Sequence, residues 1–245
     1  MKKIIKAICL ILALCTLMLV GSACIAEETI KDKAYYDYDS SDTGKGASIR
    51  TSFVEREVDS MKVEDFEASD KESDYVLIKV KDYGDIVVVL RSDVAPVSVA
   101  NFKMLVGQNF YAGTLFHRII EGFMIQGGGL ISEPNADGTG TTVVQKEAGP
   151  IIGEFSSNGF TNNLDHVRGV ISMARSDNKN SATSQFFIVH ETSAHLNGDY
   201  ASFGYVLAGM DVVDKIAACD EFLEEGSTMP LNDIVIESIT FVQPK

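Results

Sequence analysis

Residues 75–245 predict a mainly β domain whose short strands form a barrel capped by helices. Three observations carry that fold class. Short apolar runs recur along the stretch, separated by clusters of Gly, Asn and Asp. Only two segments of the stretch carry helical spacing. Many short strands with few helices are the pattern of a closed barrel, which removes exposed sheet edges.

Taken in order, residues 76–80 (Val-Leu-Ile-Lys-Val) and 86–91 (Ile-Val-Val-Val-Leu-Arg) are two strands joined by the turn Asp82-Tyr83-Gly84-Asp85, hence a hairpin. Pro96 suits the first turn of a helix that carries Val99, Phe102, Leu105 and Val106 on one face. Strands then fall at 114–120, 122–126, 169–174, 185–189 and 202–207, a second helix at 211–218 and a last strand at 234–241.

The chain ahead of this body divides in two. Lys2, Lys3 and Lys6 precede an apolar run from Ala7 to Val20 and the small residues Gly21-Ser22-Ala23. That run is shorter than the roughly 20 residues of a spanning helix, and the three-part order is that of an export signal over residues 1–23. A retained anchor helix is the bland alternative. Cys24 follows the small residues, and this arrangement resembles the lipoprotein box of bacteria, whose cysteine takes a lipid and anchors the chain to a membrane facing outside the cytoplasm. Gly21 stands where that box prefers an aliphatic residue, so cleavage after Ala23 or Ala26, giving a secreted or periplasmic form, competes. Residues 25–72 hold 14 acidic and 7 basic side chains and few aliphatics. With Cys24 they read as an acidic, largely disordered tether over 24–72, in which residues 52–61 could form a short helix with Phe53, Val54, Val58 and Met61 as contacts.

The net charge of -14 argues against a nucleic-acid partner, since phosphate affinity comes from Lys and Arg. Cys219 is the one cysteine beyond Cys24, so the body has no internal disulfide, and its setting after an apolar helix reads as packing. His190 and His195, with Glu191, are spaced five apart and miss the one-face spacing of a zinc protease helix. Asn135-Ala136-Asp137-Gly138 lacks the closing Glu of a calcium loop, and Gly127-Gly128-Gly129 lacks the strand–glycine–helix setting of a dinucleotide site. No cofactor or metal is called for.

Two segments carry chemistry. Residues 116–128 read Phe-His-Arg-Ile-Ile-Glu-Gly-Phe-Met-Ile-Gln-Gly-Gly, and residues 184–188 read Ser-Gln-Phe-Phe-Ile. Together they closely resemble the signature segments of the cyclophilin-type peptidyl-prolyl cis-trans isomerases. The resemblance covers about residues 73–245 and implies a closed eight-stranded antiparallel barrel capped by two α-helices. It implies a monomeric enzyme acting on proline-containing polypeptides, and with the expected export signal the role is in folding of exported proteins.

By that resemblance Arg118 is the catalytic arginine, Gln126 contacts the substrate carbonyl, and Phe123, Met124, Phe187 and Leu196 line the proline pocket. Gln185 lies at the floor of the groove, with Ala174 beside it, and His117 orients and packs. Three positions depart from the commonest family pattern: His195 stands for a rim tryptophan, Tyr200 for a rim histidine, and Arg175 for an asparagine whose contact is made largely through backbone. The chemistry needs no more than this. Rotation about an X–Pro bond breaks amide resonance and costs about 18–20 kcal/mol. A fixed cation that donates a hydrogen bond to the prolyl nitrogen favours the twisted state over both planar ones. A non-catalytic module that holds proline segments in the same groove is the competing reading.

Overall fold

The computed structural model describes residues 51–146 and 148–245. The expected export signal, Cys24 and the expected tether up to residue 50 lie outside the described residues. In chain order the elements are α1 (Thr51–Glu57), β1 (Phe66–Ala68), β2 (Tyr75–Val80), β3 (Gly84–Leu90), α2 (Pro96–Gly107), β4 (Thr114–Ile120), β5 (Met124–Pro134), β6 (Thr141–Gln145), β7 (Val170–Met173), β8 (Phe186–Val189), β9 (Ser202–Ala208), α3 (Met210–Ala217) and β10 (Val235–Pro244). No helix among the described residues is long and apolar enough to cross a membrane.

Eight strands close a barrel in the order β10-β2-β3-β9-β7-β8-β5-β4, and β4 returns to β10 through Val235↔Leu115 and Ile236↔Thr114. Every pairing is antiparallel. The predicted barrel is therefore the observed one, with β1 added on β10 and β6 on β5. Alternation explains which side chains face inward. On β2, Val76, Ile78 and Val80 are buried while the residues between them are not. They join Ile86, Val88, Phe116, Ile119, Ile125, Ile171, Phe186 and Ile188 in one core, to which α2 brings Phe102 and Leu105 and α3 brings Val213 and Ile216. Phe102 is the hub of its aromatic part, 5.0 Å from Tyr111, 5.3 Å from Phe203 and 5.6 Å from Phe186 between ring centroids. Tilted and edge-on pairs of this kind each add about 0.5–1.5 kcal/mol beyond area burial.

The strand expected to end at Gln126 continues to Pro134. The three glycines that follow do not break it; they let it pass beneath larger neighbours. A Cβ on Gly128 would stand 2.7 Å from the Phe186 ring, and one on Gly129 would stand 2.3 Å from the Gln185 side chain. Only a residue without a Cβ keeps the strand in place there.

The expectation of a tether through residue 72 does not hold from Thr51 onward, nearly half of its length. Thr51–Glu57 is helical and Val54 is wholly buried. The backbone of Asp59 donates to Val206 O at 3.3 Å and that of Met61 to Leu207 O at 3.0 Å. Phe66, Glu67 and Ala68 pair with Pro244, Gln243 and Val242. The Asp59 carboxylate accepts hydrogen bonds from Gly209 N at 3.0 Å and Met210 N at 3.2 Å, capping α3. Val54, Phe66 and the half-buried Val58, Met61 and Val63 complete a second apolar cluster with Val170, Val189, Leu207 and Val242. Glu55, Glu64, Asp65 and Glu67 between these residues are exposed, which is why the segment reads as polar until its partner surface is known.

Helix α2 shows how distant residues fix local structure. Pro96 occupies its first turn, but the cap residue Ala95 has no side chain able to take the free N–H groups. Glu154 supplies the acceptor: its carboxylate takes Val97 N at 2.9 Å, Ser98 N at 2.7 Å and the Ser98 hydroxyl at 2.7 Å. Glu154 is wholly buried. Burial pushes its carboxyl above the ordinary range, and the three donated bonds pull it back.

Candidate active site

Strands β4 and β5 place Arg118 directly opposite Gln126. Strand β8 runs beside β5, so Phe187 in turn faces Gln126. Three adjacent strands thus deliver a cation, an amide and an aromatic ring to one patch of the barrel wall. The turn before β5 adds Phe123, the single helical turn Ala194–Leu196 adds Leu196, and the segments after β7 and before β9 add Ala174, Arg175 and Tyr200. The resulting cavity of about 390 Å³ is lined by Arg118, Phe123, Met124, Gln126, Ala174, Arg175, Phe187, Leu196 and Tyr200. Its walls are apolar on the Phe123, Met124, Phe187 and Leu196 side and donor-bearing on the other.

A chain of polar contacts orients the donors. Arg118 Nη1 donates to Gln126 Oε1 at 3.4 Å and lies 3.7 Å from Met124 Sδ. Gln126 Nε2 donates to Gln185 Oε1 at 2.9 Å. Among the described residues no carboxylate pairs with Arg118. Among those residues its contacts are an amide and a thioether, neither of which neutralises its charge.

Nine of the twelve residues singled out from the sequence line this cavity, and the other three stand immediately behind it or at its rim. Gln185 is behind Gln126. His117 lies beside Leu115 O at 3.4 Å and next to Gln185; burial lowers its pKa, so the neutral ring is favoured. His195 is exposed and packs on Phe123, with ring centroids 5.3 Å apart. It extends the apolar rim where a larger ring was expected from the family pattern. Cys219 follows α3, half-buried against the core and away from the cavity, in keeping with a packing role.

The sequence reading missed His166. Its ring stacks on Phe187 at 5.9 Å and 17°, forming the back of the aromatic wall, and Tyr200 meets Phe187 edge-on at 5.8 Å. His166 Nδ1 donates to Asn197 Oδ1 at 3.0 Å, and Nε2 accepts from the Ser172 hydroxyl at 3.0 Å. Asn197 is held in turn by Asp165, whose other oxygen accepts from Thr51 at 2.5 Å. These bonds fix one neutral tautomer. Burial lowers the His166 pKa from its ordinary value to about 4.

A pH dependence follows from that sign. The unfolded chain binds the proton near pH 6.5 and the folded chain only near pH 4, so His166 contributes stability that is full above about 6.5 and is lost as pH falls towards about 4. The loss is about 3 kcal/mol over that interval. Urea midpoints measured from pH 7 to pH 4 should fall in the wild type and fall less steeply in His166→Gln. Equal slopes in the two proteins would remove the assignment.

Residues 75–241 match the family model described as cyclophilin type peptidyl-prolyl cis-trans isomerase/CLD. Peptidyl-prolyl cis-trans isomerase A of Dickeya dadantii is 41% identical over 166 residues, covering 65% of this chain and 80% of that protein. A peptidyl-prolyl cis-trans isomerase of Acinetobacter baylyi is 48% identical over 139 residues, 55% of this chain and 67% of the relative. Among solved structures, a cyclophilin type isomerase of Cryptosporidium parvum, crystallised in the presence of the dipeptide Ala-Pro, superposes with a TM-score of 0.54 at 30% identity, covering 68% of this chain and 98% of that one. The barrel, the paired signature segments and these relatives lead to one conclusion: the chain belongs to the cyclophilin-type peptidyl-prolyl cis-trans isomerases.

Proposed function

We propose that this isomerase accelerates X–Pro rotation in exported polypeptides, with Arg118 stabilising the twisted amide. The observation that carries the mechanism is the single cavity in which an uncompensated Arg118 and an oriented Gln126 face an apolar wall of Phe123, Met124, Phe187 and Leu196. A proline ring seated on that wall loses water and is held still while the flanking chain turns. In the twisted state the prolyl nitrogen regains a lone pair, and an Arg118 N–H donates to it. Gln126 contacts the carbonyl next to the rotating bond. Both donors are set before substrate arrives, so little reorganisation is needed at the moment of rotation. No nucleophile or proton transfer enters. That the Cryptosporidium neighbour was crystallised with Ala-Pro supports a proline-containing ligand here. The measurement is exchange spectroscopy by NMR on a proline tetrapeptide, comparing the wild type with an Arg118 variant.

The setting is read from the sequence. A basic head, a short apolar run and Gly-Ser-Ala-Cys support export and a lipid on Cys24, which would hold the enzyme at a membrane where secreted chains emerge. Labelled fatty acid supplied to producing cells should appear on the wild-type protein and not on Cys24→Ala. Soluble, unlabelled wild-type protein beginning at Cys24 or Glu27 would instead establish ordinary cleavage.

A further inference from the structure

The substrate groove is the site of a charge reversal. The whole chain carries a net charge of -14, yet among the described residues the cavity is lined by two arginines and no carboxylate. Arg118 is accounted for by the rotating bond. Arg175 is not. Its guanidinium carbon lies 4.6 Å from the Tyr200 ring centroid and 5.2 Å from that of Phe155, so aromatic rings fix its position. Nε and Nη2 donate to Asp199 O at 3.0 and 2.9 Å, and Nη1 donates to Ser176 O at 2.8 Å. All three bonds end on neutral carbonyl oxygens. Of the five N–H donors, one on each terminal nitrogen remains. Among the described residues no carboxylate, including those of the chain neighbours Asp177 and Asp199, forms an ion pair with it.

We propose that Arg175 is a specificity-determining residue, selecting proline segments that carry a carboxylate side chain beside the proline. The proposal rests on the groove being the substrate site and goes beyond it in naming the substrate class. A guanidinium already held in place loses little freedom on pairing, which separates it from an ordinary surface cation. The repulsion of an acidic ligand by the distant acids is screened within about 8 Å at physiological salt, whereas contact with Arg175 is not.

The test is a matched set of pentapeptides with a central Pro and Glu, Gln or Lys placed in turn at each of the four flanking positions. Exchange is measured with the wild type, Arg175→Gln and Arg175→Lys, and the readout within each protein is the Glu-to-Gln ratio of kcat/KM. An exposed ion pair of this kind predicts a ratio of about 2–5 at one flanking position in the wild type. The ratio should fall to about one in Arg175→Gln, remain above one in Arg175→Lys, and shrink in the wild type at high salt. A ratio near one at every position in the wild type overturns the proposal. So does a preference that survives unchanged in Arg175→Gln, or one lost equally in the lysine and glutamine variants. Absence of exchange with every peptide would remove the isomerase mechanism along with the proposal, whereas exchange with a flat ratio removes the proposal alone.

Discussion

Arg118→Ala should lower kcat/KM by about 100-fold, the scale on which loss of one preorganised donor reduces an enzyme's rate. The residue forms no ion pair among the described residues and is half-buried at a groove rim, so its removal leaves the barrel core untouched. The melting temperature should move by no more than one or two degrees, which separates lost chemistry from lost fold. Arg118→Lys is the sharper control. It keeps the charge but not the planar fork that reaches Gln126 and, in the proposed mechanism, the prolyl nitrogen as well, so it should remain well below the wild type. If the loss comes mainly from the twisted state, kcat should fall while KM changes little. A full-rate alanine variant would transfer the catalysis to the apolar wall and Gln126.

The second large effect is on stability and lies away from the groove. Glu154→Gln should cost about 3 kcal/mol, on the scale of leaving buried hydrogen-bonding groups unsatisfied. The substitution preserves shape and removes charge. One glutamine oxygen cannot replace a carboxylate that serves Val97 N, Ser98 N and the Ser98 hydroxyl, and the new amide N–H₂ would point a donor at donors. In a domain of this size the midpoint should drop by about 6–12 °C in a thermal scan. A shift under two degrees would show that water reaches the α2 N-terminus and that the buried carboxylate is not its cap.

The parts of the fold that could be read from sequence are those whose signal is local. The β2–β3 hairpin, α2 with its proline and the β4 segment each carry alternation or helical spacing within one window, and their bounds lie within a residue or two of the observed ones. What could not be read depends on remote partners. Strand β6 is an exposed edge of Thr-Thr-Val-Val-Gln, too polar to stand out before it pairs with β5. Strand β1 is three residues long and becomes a strand only against the last residues of β10. The site follows the same division. Arg118, Gln126, Phe123, Met124 and Phe187 sit in two short motifs, so resemblance reached them. His166 and Glu154 belong to neither motif; His166 acts through Asn197 and Ser172, and Glu154 through Val97 and Ser98. Neither spacing falls within a helical turn or a strand alternation, and only the folded barrel brings those partners together.

The packed segment ahead of the barrel also has a mechanical meaning. Whatever pulls on the chain upstream of Thr51 acts first on α1, the Asp59 cap and the two backbone bonds from Asp59 and Met61. These contacts lie in series, and each can let go alone, because Val54 and its neighbours sit on the barrel's outer apolar face and not inside it. Tension on the polypeptide is thus taken up by peeling a short strip one contact at a time. The β4–β10 seam that closes the barrel, and with it the strands that carry Arg118 and Gln126, is loaded only after that strip is gone.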